Sequence, residues 1–244
     1  METHQLAEEF EASRRELTGY LCRLVVRPQV AEDLVQTTFL RSLEAIEGAP
    51  DKIGNSRAWF FRIATNLAFD ELRRHATWRE SMMPDLRELA ESNPEFVARS
   101  IAMIGTPETK TIAREHLTAC FSCVLRNLPE RKAAAFLLKE VHGFMIEEVA
   151  ELLDASSGQT KNWLQEARGY MHTRYSETCA LVAKQGVCYQ CVELDGFFKA
   201  DNGNPLASSA NDMDARTQIL IEMRDKKYNP WHHLLLGLLD DLAK

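Results

Sequence analysis

Residues 128–168 read LPERKAAAFLLKEVHGFMIEEVAELLDASSGQTKNWLQEAR, and three helices are legible in them. An apolar one runs through Phe136 and Leu138, a short one covers Met145 to Leu153, and a third begins near Ser157. Between the last two, DASSG at 154–158 has the length and residue types of the turn in a helix-turn-helix. That motif predicts a helix presented to a DNA groove. Its meaning depends on the rest of the chain.

Upstream, VAEDLVQTTFLRSLEAI carries apolar residues at three- and four-residue steps, Val30, Leu34, Val35, Phe39, Leu40 and Leu43, which predicts an amphipathic helix. GAPDKIGNS then breaks the pattern with Gly48, Pro50 and Gly54, and Ser56 is placed to cap the next helix. That helix, RAWFFRIATNLAFDELRRH, has Trp59, Ile63, Leu67 and Leu72 near one expected buried stripe. Trp59 reads as core, while for Phe60 and Phe61 both core packing and base stacking stay open. Five arginines face three acids between Asn55 and Glu80.

The remaining segments are less regular. Residues 77–112 are broken by Pro84, Pro94 and Pro107 and read as a linker between residues 5–76 and 113–175. A tail, 176–244, holds a Gly/Asn/Pro/Ser-rich loop and an amphipathic end from Trp231 to Leu242, for which packing on the chain itself is the default expectation. Glycine is scarce, with 11 residues in 244, and Leu, Ala, Glu and Arg are abundant, so the fold class expected is all-α.

The net charge of −7 argues against a chain coated in positive charge for indiscriminate nucleic-acid binding, yet leaves room for local basic faces. No apolar run approaches the roughly 20 residues that span a bilayer. The polar start METHQLAEEF is unlike a signal peptide, so a cytoplasmic protein without membrane contact is expected.

In this order the segments resemble the extracytoplasmic-function (ECF) sigma factors of bacterial RNA polymerase. AEDLVQTTFLRSLEAI resembles the polymerase-binding part of sigma region 2. RAWFFRIATNLAFDELRR resembles the part that melts and reads the minus-10 promoter element, and 128–168 resembles region 4, the helix-turn-helix that reads minus-35. The resemblance implies a non-enzymatic promoter-specificity subunit with core RNA polymerase and promoter DNA as partners, and an anti-sigma factor as a further candidate partner. It places core polymerase on Asp33, Leu34, Gln36, Thr37 and Arg41. It places minus-10 DNA on Lys52, Asn55, Ser56, Arg57, Arg62, Asn66, Arg73 and Arg74. For minus-35 DNA it points to Arg131, Lys132, Gln159, Thr160, Lys161, Trp163 and Arg168. The chain departs from the family along this last helix: Trp163 and Glu166 stand where Arg is common, which predicts either modest minus-35 affinity or an unusual specificity.

Six cysteines remain to be explained. Cys22 sits alone in an apolar helix and reads as a small buried hydrophobe. Cys120-x2-Cys123 is preceded by His116, and Cys188-x2-Cys191 by Cys179, with 64 residues between the pairs. In a reducing compartment this spacing points to zinc, which takes four Cys or His ligands in a tetrahedron. Cys120, Cys123, Cys188 and Cys191 are the first choice, with His116 or Cys179 able to replace one. A subset of ECF factors with a C-terminal extension looks similar here, and the site would pin the tail near the start of region 4, as a structural clasp or a redox sensor. His142, His172, His232 and His233 have no ligand-like neighbours in sequence and read as surface or packing residues.

Two other function classes are open at this point. A polymerase-independent helix-turn-helix regulator would leave the upstream segments unexplained. A thiol-disulfide enzyme built on Cys120 and Cys123 would need β-rich flanks, which the sequence lacks.

Overall fold

A computed structural model of the chain describes residues 3–48, 54–74, 92, 94, 118, 121–122, 124–178 and 213–226. All regular structure among them is helical. The elements are α1 (Thr3–Val25), α2 (Pro28–Gly48), α3 (Ser56–Arg74), α4 (Glu130–Phe136) running into a π-turn (Leu137–Val141), α5 (Ile146–Leu152), α6 (Ser157–Thr178) and α7 (Met213–Glu222). No described helix is long and apolar enough to cross a membrane.

The chain divides into two compact units. One comprises Met1–Ala76, Leu128–Ala167 and Ile221–Lys227; the other comprises Thr77–Asn127, Arg168–Leu220 and Tyr228–Lys244. In the second unit Phe121, Leu125, Met171 and Leu220 are buried, and Tyr170 Oη accepts from Arg174 Nε at 3.2 Å.

The core of the first unit is aromatic. Phe10 packs on Phe39 with centroids 4.8 Å apart and meets Phe60 edge-on at 5.1 Å. Tyr20 lies 5.1 Å from Phe61, and Phe61 lies 5.0 Å from Phe144. The buried stripe of α3 is Phe60, Phe61, Ala64, Thr65, Ala68 and Phe69, with Trp59, Ile63, Leu67 and Leu72 half-buried. The expected stripe is therefore rotated by about one residue. The rows Phe60–Ala64–Ala68 and Phe61–Thr65–Phe69 lie side by side on the helix, and their three rings carry most of its buried apolar area, so both rows pack inward together. Phe60 and Phe61 are both core.

Leu40, expected in the core of α2, is instead 57% exposed, while Thr38 and Ser42 are buried. The two hydroxyls donate back to the carbonyls of Leu34 and Thr38, at 2.7 Å each, so their inward position leaves no polar atom stranded. At the start of α3 the cap is Asn55 rather than Ser56: Asn55 Oδ1 accepts from Ala58 N at 3.1 Å.

The expected helix-turn-helix is present as α5 and α6. Glu148 reaches back to Met145 N at 2.7 Å to close the first turn of α5. At the turn, Asp154 takes φ 51°, a left-handed conformation that Asp tolerates better than most residues. Ser156 and Gln159 then form a reciprocal capping box. Gln159 N donates to Ser156 Oγ at 3.2 Å, and Ser156 N donates to Gln159 Oε1 at 3.0 Å.

Candidate polymerase and promoter interfaces

The residues expected at polymerase fall mostly on one outer face of α2. Asp33, Gln36 and Arg41 are exposed, and Thr37 is half-buried with its hydroxyl donating to Asp33 O at 2.8 Å. Arg41 lies 3.7 Å from Glu44. Leu34 differs: it is buried in the core as part of the inner stripe. Leu40 takes its place on the outer face, one turn from Thr37 and beside Arg41, as an exposed apolar residue ringed by polar ones. Reading Leu40 as core hid it. Its spacing from Asp33, Gln36 and Thr37 is the signal that could have found it.

On α3, Arg62, Asn66, Arg73 and Arg74 are all exposed, with Arg62, Asn66 and Arg73 on one helix face. Arg73 pairs with Asp70 at 2.5 Å, and Arg74 with Glu71 at 3.9 Å. Ser56 is half-buried, and Lys52 lies outside the described residues. Asn55 and Arg57 are engaged elsewhere in the unit. Asn55 Nδ2 donates to Glu148 Oε1 at 3.2 Å. Arg57 donates twice to Glu16, at 3.0 and 2.7 Å, and once to His142 O at 2.8 Å, and its guanidinium stacks 4.0 Å above the Phe144 ring.

Glu16 is thus a hub, and His142 is its other partner. The π-turn delivers His142: His142 N bonds Leu137 O at 3.0 Å, and Gly143 at φ 71° turns the chain away immediately after it. His142 Nδ1 lies 2.9 Å from Glu16 Oε1, with its ring edge-on to Tyr20 and against Phe61. Tyr20 in turn shares a 2.8 Å hydrogen bond with Thr65. Nothing in the local sequence pairs residue 16 with residue 142, and the expectation that His142 merely packs omitted this bond.

Burial pulls the pKa of His142 down from 6.5 to about 4; the Glu16 carboxylate opposes the shift, and the Arg23 and Arg57 charges reinforce it. Burial acts the other way on Glu16, but the hydrogen bonds from His142 and Arg57 outweigh it and bring the carboxyl to about 2. At neutral pH the pair is therefore ionised Glu16 with neutral His142, whose Nδ1–H donates. His142 Nε2 is buried without a partner, which costs less as a bare acceptor than as an N–H.

This arrangement makes stability depend on pH. A depressed pKa in the folded chain gives stability that is fully present above 6.5 and lost as pH falls towards 4, because the unfolded imidazole takes up a proton that the buried one refuses. The loss should reach up to about 3 kcal/mol. Urea midpoints measured from pH 7 to 4.5 should fall for the native chain and fall less for His142→Gln. Parallel curves would show that His142 does not carry the effect.

In the helix-turn-helix, Gln159, Lys161 and Arg168 are exposed on α6, and Trp163 is half-buried. Thr160, expected among the groove-reading residues, is fully buried and donates to Ser156 O at 3.1 Å. It sits one residue past Gln159 and so falls on the inner row with Leu164 and Ala167. Asn162 and Gln165 share the exposed face and were not expected there; their polar types beside Lys161 were the available signal. Arg131 donates to Leu153 O, and its guanidinium lies 5.9 Å from the centroids of both Phe69 and Trp163. Lys132 pairs with Glu166. His116, Cys120, Cys123, Cys179, Cys188 and Cys191 lie outside the described residues.

Among the described residues the first unit therefore holds a polar-faced helical bundle together with a helix-turn-helix. Residues 10–78 match Sigma-70 region 2 and residues 118–171 match Sigma-70 region 4. The ECF RNA polymerase sigma factor SigG of Mycobacterium tuberculosis is 31% identical over 175 residues, 67% of this chain and 46% of that one. The ECF RNA polymerase sigma-E factor of Haemophilus influenzae is 28% identical over 158 residues, 64% of this chain and 79% of that one. The chain belongs to the ECF sigma-factor family. Its match to SigG spans about half of that relative's length. Among solved structures, the sigma factor RpoE of Bartonella quintana, in complex with the anti-sigma factor NepR, is similar at a TM-score of 0.47 and 21% identity, covering 69% of this chain and 95% of that one.

Proposed function

We propose that this protein is a promoter-specificity subunit that binds core RNA polymerase through α2 and directs initiation at promoters read by both of its regions. The observation that carries this reading is the presence of Sigma-70 regions 2 and 4, in that order, in one chain. It performs no catalytic step of its own.

Polymerase is held by the outer face of α2, where Asp33, Gln36, Thr37 and Arg41 surround exposed Leu40. Such a small apolar centre in a polar rim is what a protein interface uses as an anchor. Leu40→Asp should weaken binding to core polymerase by about tenfold or more with little change in folding, since the side chain is already in water. A pull-down and titration with core polymerase tests this; an unchanged affinity would move the interface elsewhere.

Minus-10 DNA is taken by the loop carrying Lys52, Asn55 and Ser56 and by Arg62, Asn66, Arg73 and Arg74, while Arg57 stays with Glu16 and His142. Charge on the exposed strand offsets the few kcal/mol that unstacking a base costs. Minus-35 DNA is read by α6 through Gln159, Lys161 and Arg168, with Arg131, Lys132 and Trp163 at its edge. Lys161→Ala and Arg168→Ala should each weaken duplex binding and lower the slope of log affinity against log salt by about one. Binding curves at several salt concentrations check this, and an unchanged slope would take these residues off the phosphates.

The paired cysteines are proposed to hold one zinc ion, with Cys120, Cys123, Cys188 and Cys191 as ligands and His116 or Cys179 as substitutes. The chemistry of the donor set supports this. Zinc would tie the tail to the start of region 4 and supply no reaction step. Elemental analysis of the purified chain should give one zinc per molecule, lost on substituting both cysteines of either pair. An anti-sigma protein is a further proposed partner, in keeping with the Bartonella quintana complex.

A further inference from the structure

The C-terminal segment Ile221–Lys227 belongs to the same compact unit as α1. Its backbone meets α1 at Gly19. A Cβ built there would lie 1.9 Å from the carbonyl oxygen of Arg224 and 2.9 Å from its carbonyl carbon, so no side chain fits while the segment is in place. A glycine in mid-helix costs helical stability, and here that cost secures the approach of a second backbone.

One turn further on, Arg23 is 1% exposed. Its guanidinium donates to Gly19 O at 2.7 Å and, in the tail, to Met223 O at 2.5 Å, Arg224 O at 3.2 Å and Lys226 O at 3.5 Å. Helix α7 ends at Glu222 and a turn follows, closed by Lys226 N donating to Met223 O at 3.0 Å; the guanidinium is a second donor to Met223 O, and a cation there also meets the negative pole of the helix. A buried guanidinium needs acceptors around it, and the tail supplies three of the four carbonyls named.

Two side chains extend the contact. Arg224 Nε lies 3.9 Å from Glu16 Oε1, the carboxylate that also holds Arg57 and His142. Asp225 lines a cavity of about 310 Å³ together with Arg14 and Thr18 of α1 and Glu32 and Gln36 of α2. Gln36 lies on the face proposed for polymerase.

We propose that Ile221–Lys226 is an intramolecular strap that docks on region 2 at Gly19 and Arg23 and competes with core polymerase for the adjoining face of α2. The free factor is thereby held back until the strap leaves. The competition rests on the sigma-factor reading; the docking does not. A polymerase surface that grips Gln36 must enter the space that Asp225 borders, and displacing the strap exposes Arg23, so the two occupants exclude each other.

The test uses the full chain and two substitutions that leave the core intact. Gly19→Ala expels the strap by contact while favouring the α1 helix itself. Arg224→Glu, at a half-exposed position, sets a carboxylate against Glu16. Amide exchange of residues 221–226 should quicken at least about tenfold in both variants, and core polymerase should bind each about five- to tenfold more tightly than the native chain. Unchanged exchange in both variants would overturn the docking. Faster exchange with native polymerase affinity would overturn the competition. Faster exchange with no polymerase binding by any form would instead defeat the sigma-factor reading and take the competition with it.

Discussion

Replacing Phe61 by alanine is expected to lower stability by about 3–5 kcal/mol, the largest effect of any single core truncation in the first unit. The ring is fully buried and touches partners from three parts of the chain: Tyr20 on α1, His142 at the end of the π-turn, and Phe144 beyond it. It also lies 5.3 Å under the Arg57 guanidinium. Removing it leaves a cavity walled by rings that cannot collapse into it without breaking the Tyr20–Thr65 and His142–Glu16 hydrogen bonds. Denaturant unfolding measures the cost directly. Phe61→Leu, which keeps most of the volume, should recover more than half of it. A loss below about 1 kcal/mol for Phe61→Ala would contradict the packing described.

Glu16→Ala is expected to cost about 2–4 kcal/mol, although it removes only a half-buried side chain. The carboxylate accepts two bonds from Arg57 and one from His142, so its loss strands a donor on the buried imidazole and leaves the Arg57 charge with the carbonyl of His142. Glu16→Gln keeps one oxygen as acceptor and should cost about half as much. A double-mutant cycle between Glu16→Gln and His142→Gln should show coupling of about 1 kcal/mol or more. Additive losses would mean that the two side chains are neighbours without being partners.

Region 4 was legible because its signals are local. The DASSG turn and the 3.6-residue apolar period each act within a few residues, and both place helices where the structure has them. The stripe on α3 was legible only in outline. Trp59, Phe60, Phe61 and Ile63 are consecutive or nearly so, and a period cannot choose between adjacent bulky residues; the partners Phe10, Tyr20 and Phe144 make that choice. Leu40 shows the same limit from the other side. Its apolar character fits the stripe of α2, and only the inward turn of Thr38 and Ser42 pushes it to the surface.

The Glu16 hub was not legible. Its members, residues 16, 57 and 142, are separated by long stretches of chain, and each taken alone is an ordinary surface type. The π-turn that delivers His142 has no residue signature of its own; Gly143 marks only its exit. Of the strap, one trace stood in the sequence. A glycine at position 19, inside an otherwise strong helix, asks for a close approach without saying by what.

As proposed, this chain gives core polymerase its choice of promoter. Run-off transcription with core polymerase and the full chain on a promoter library, with and without zinc chelation, tests it most directly. Transcripts are expected from a defined subset of promoters sharing a minus-35 and a minus-10 element, and are lost when the chain is omitted. No promoter-specific transcript under any metal condition would contradict it.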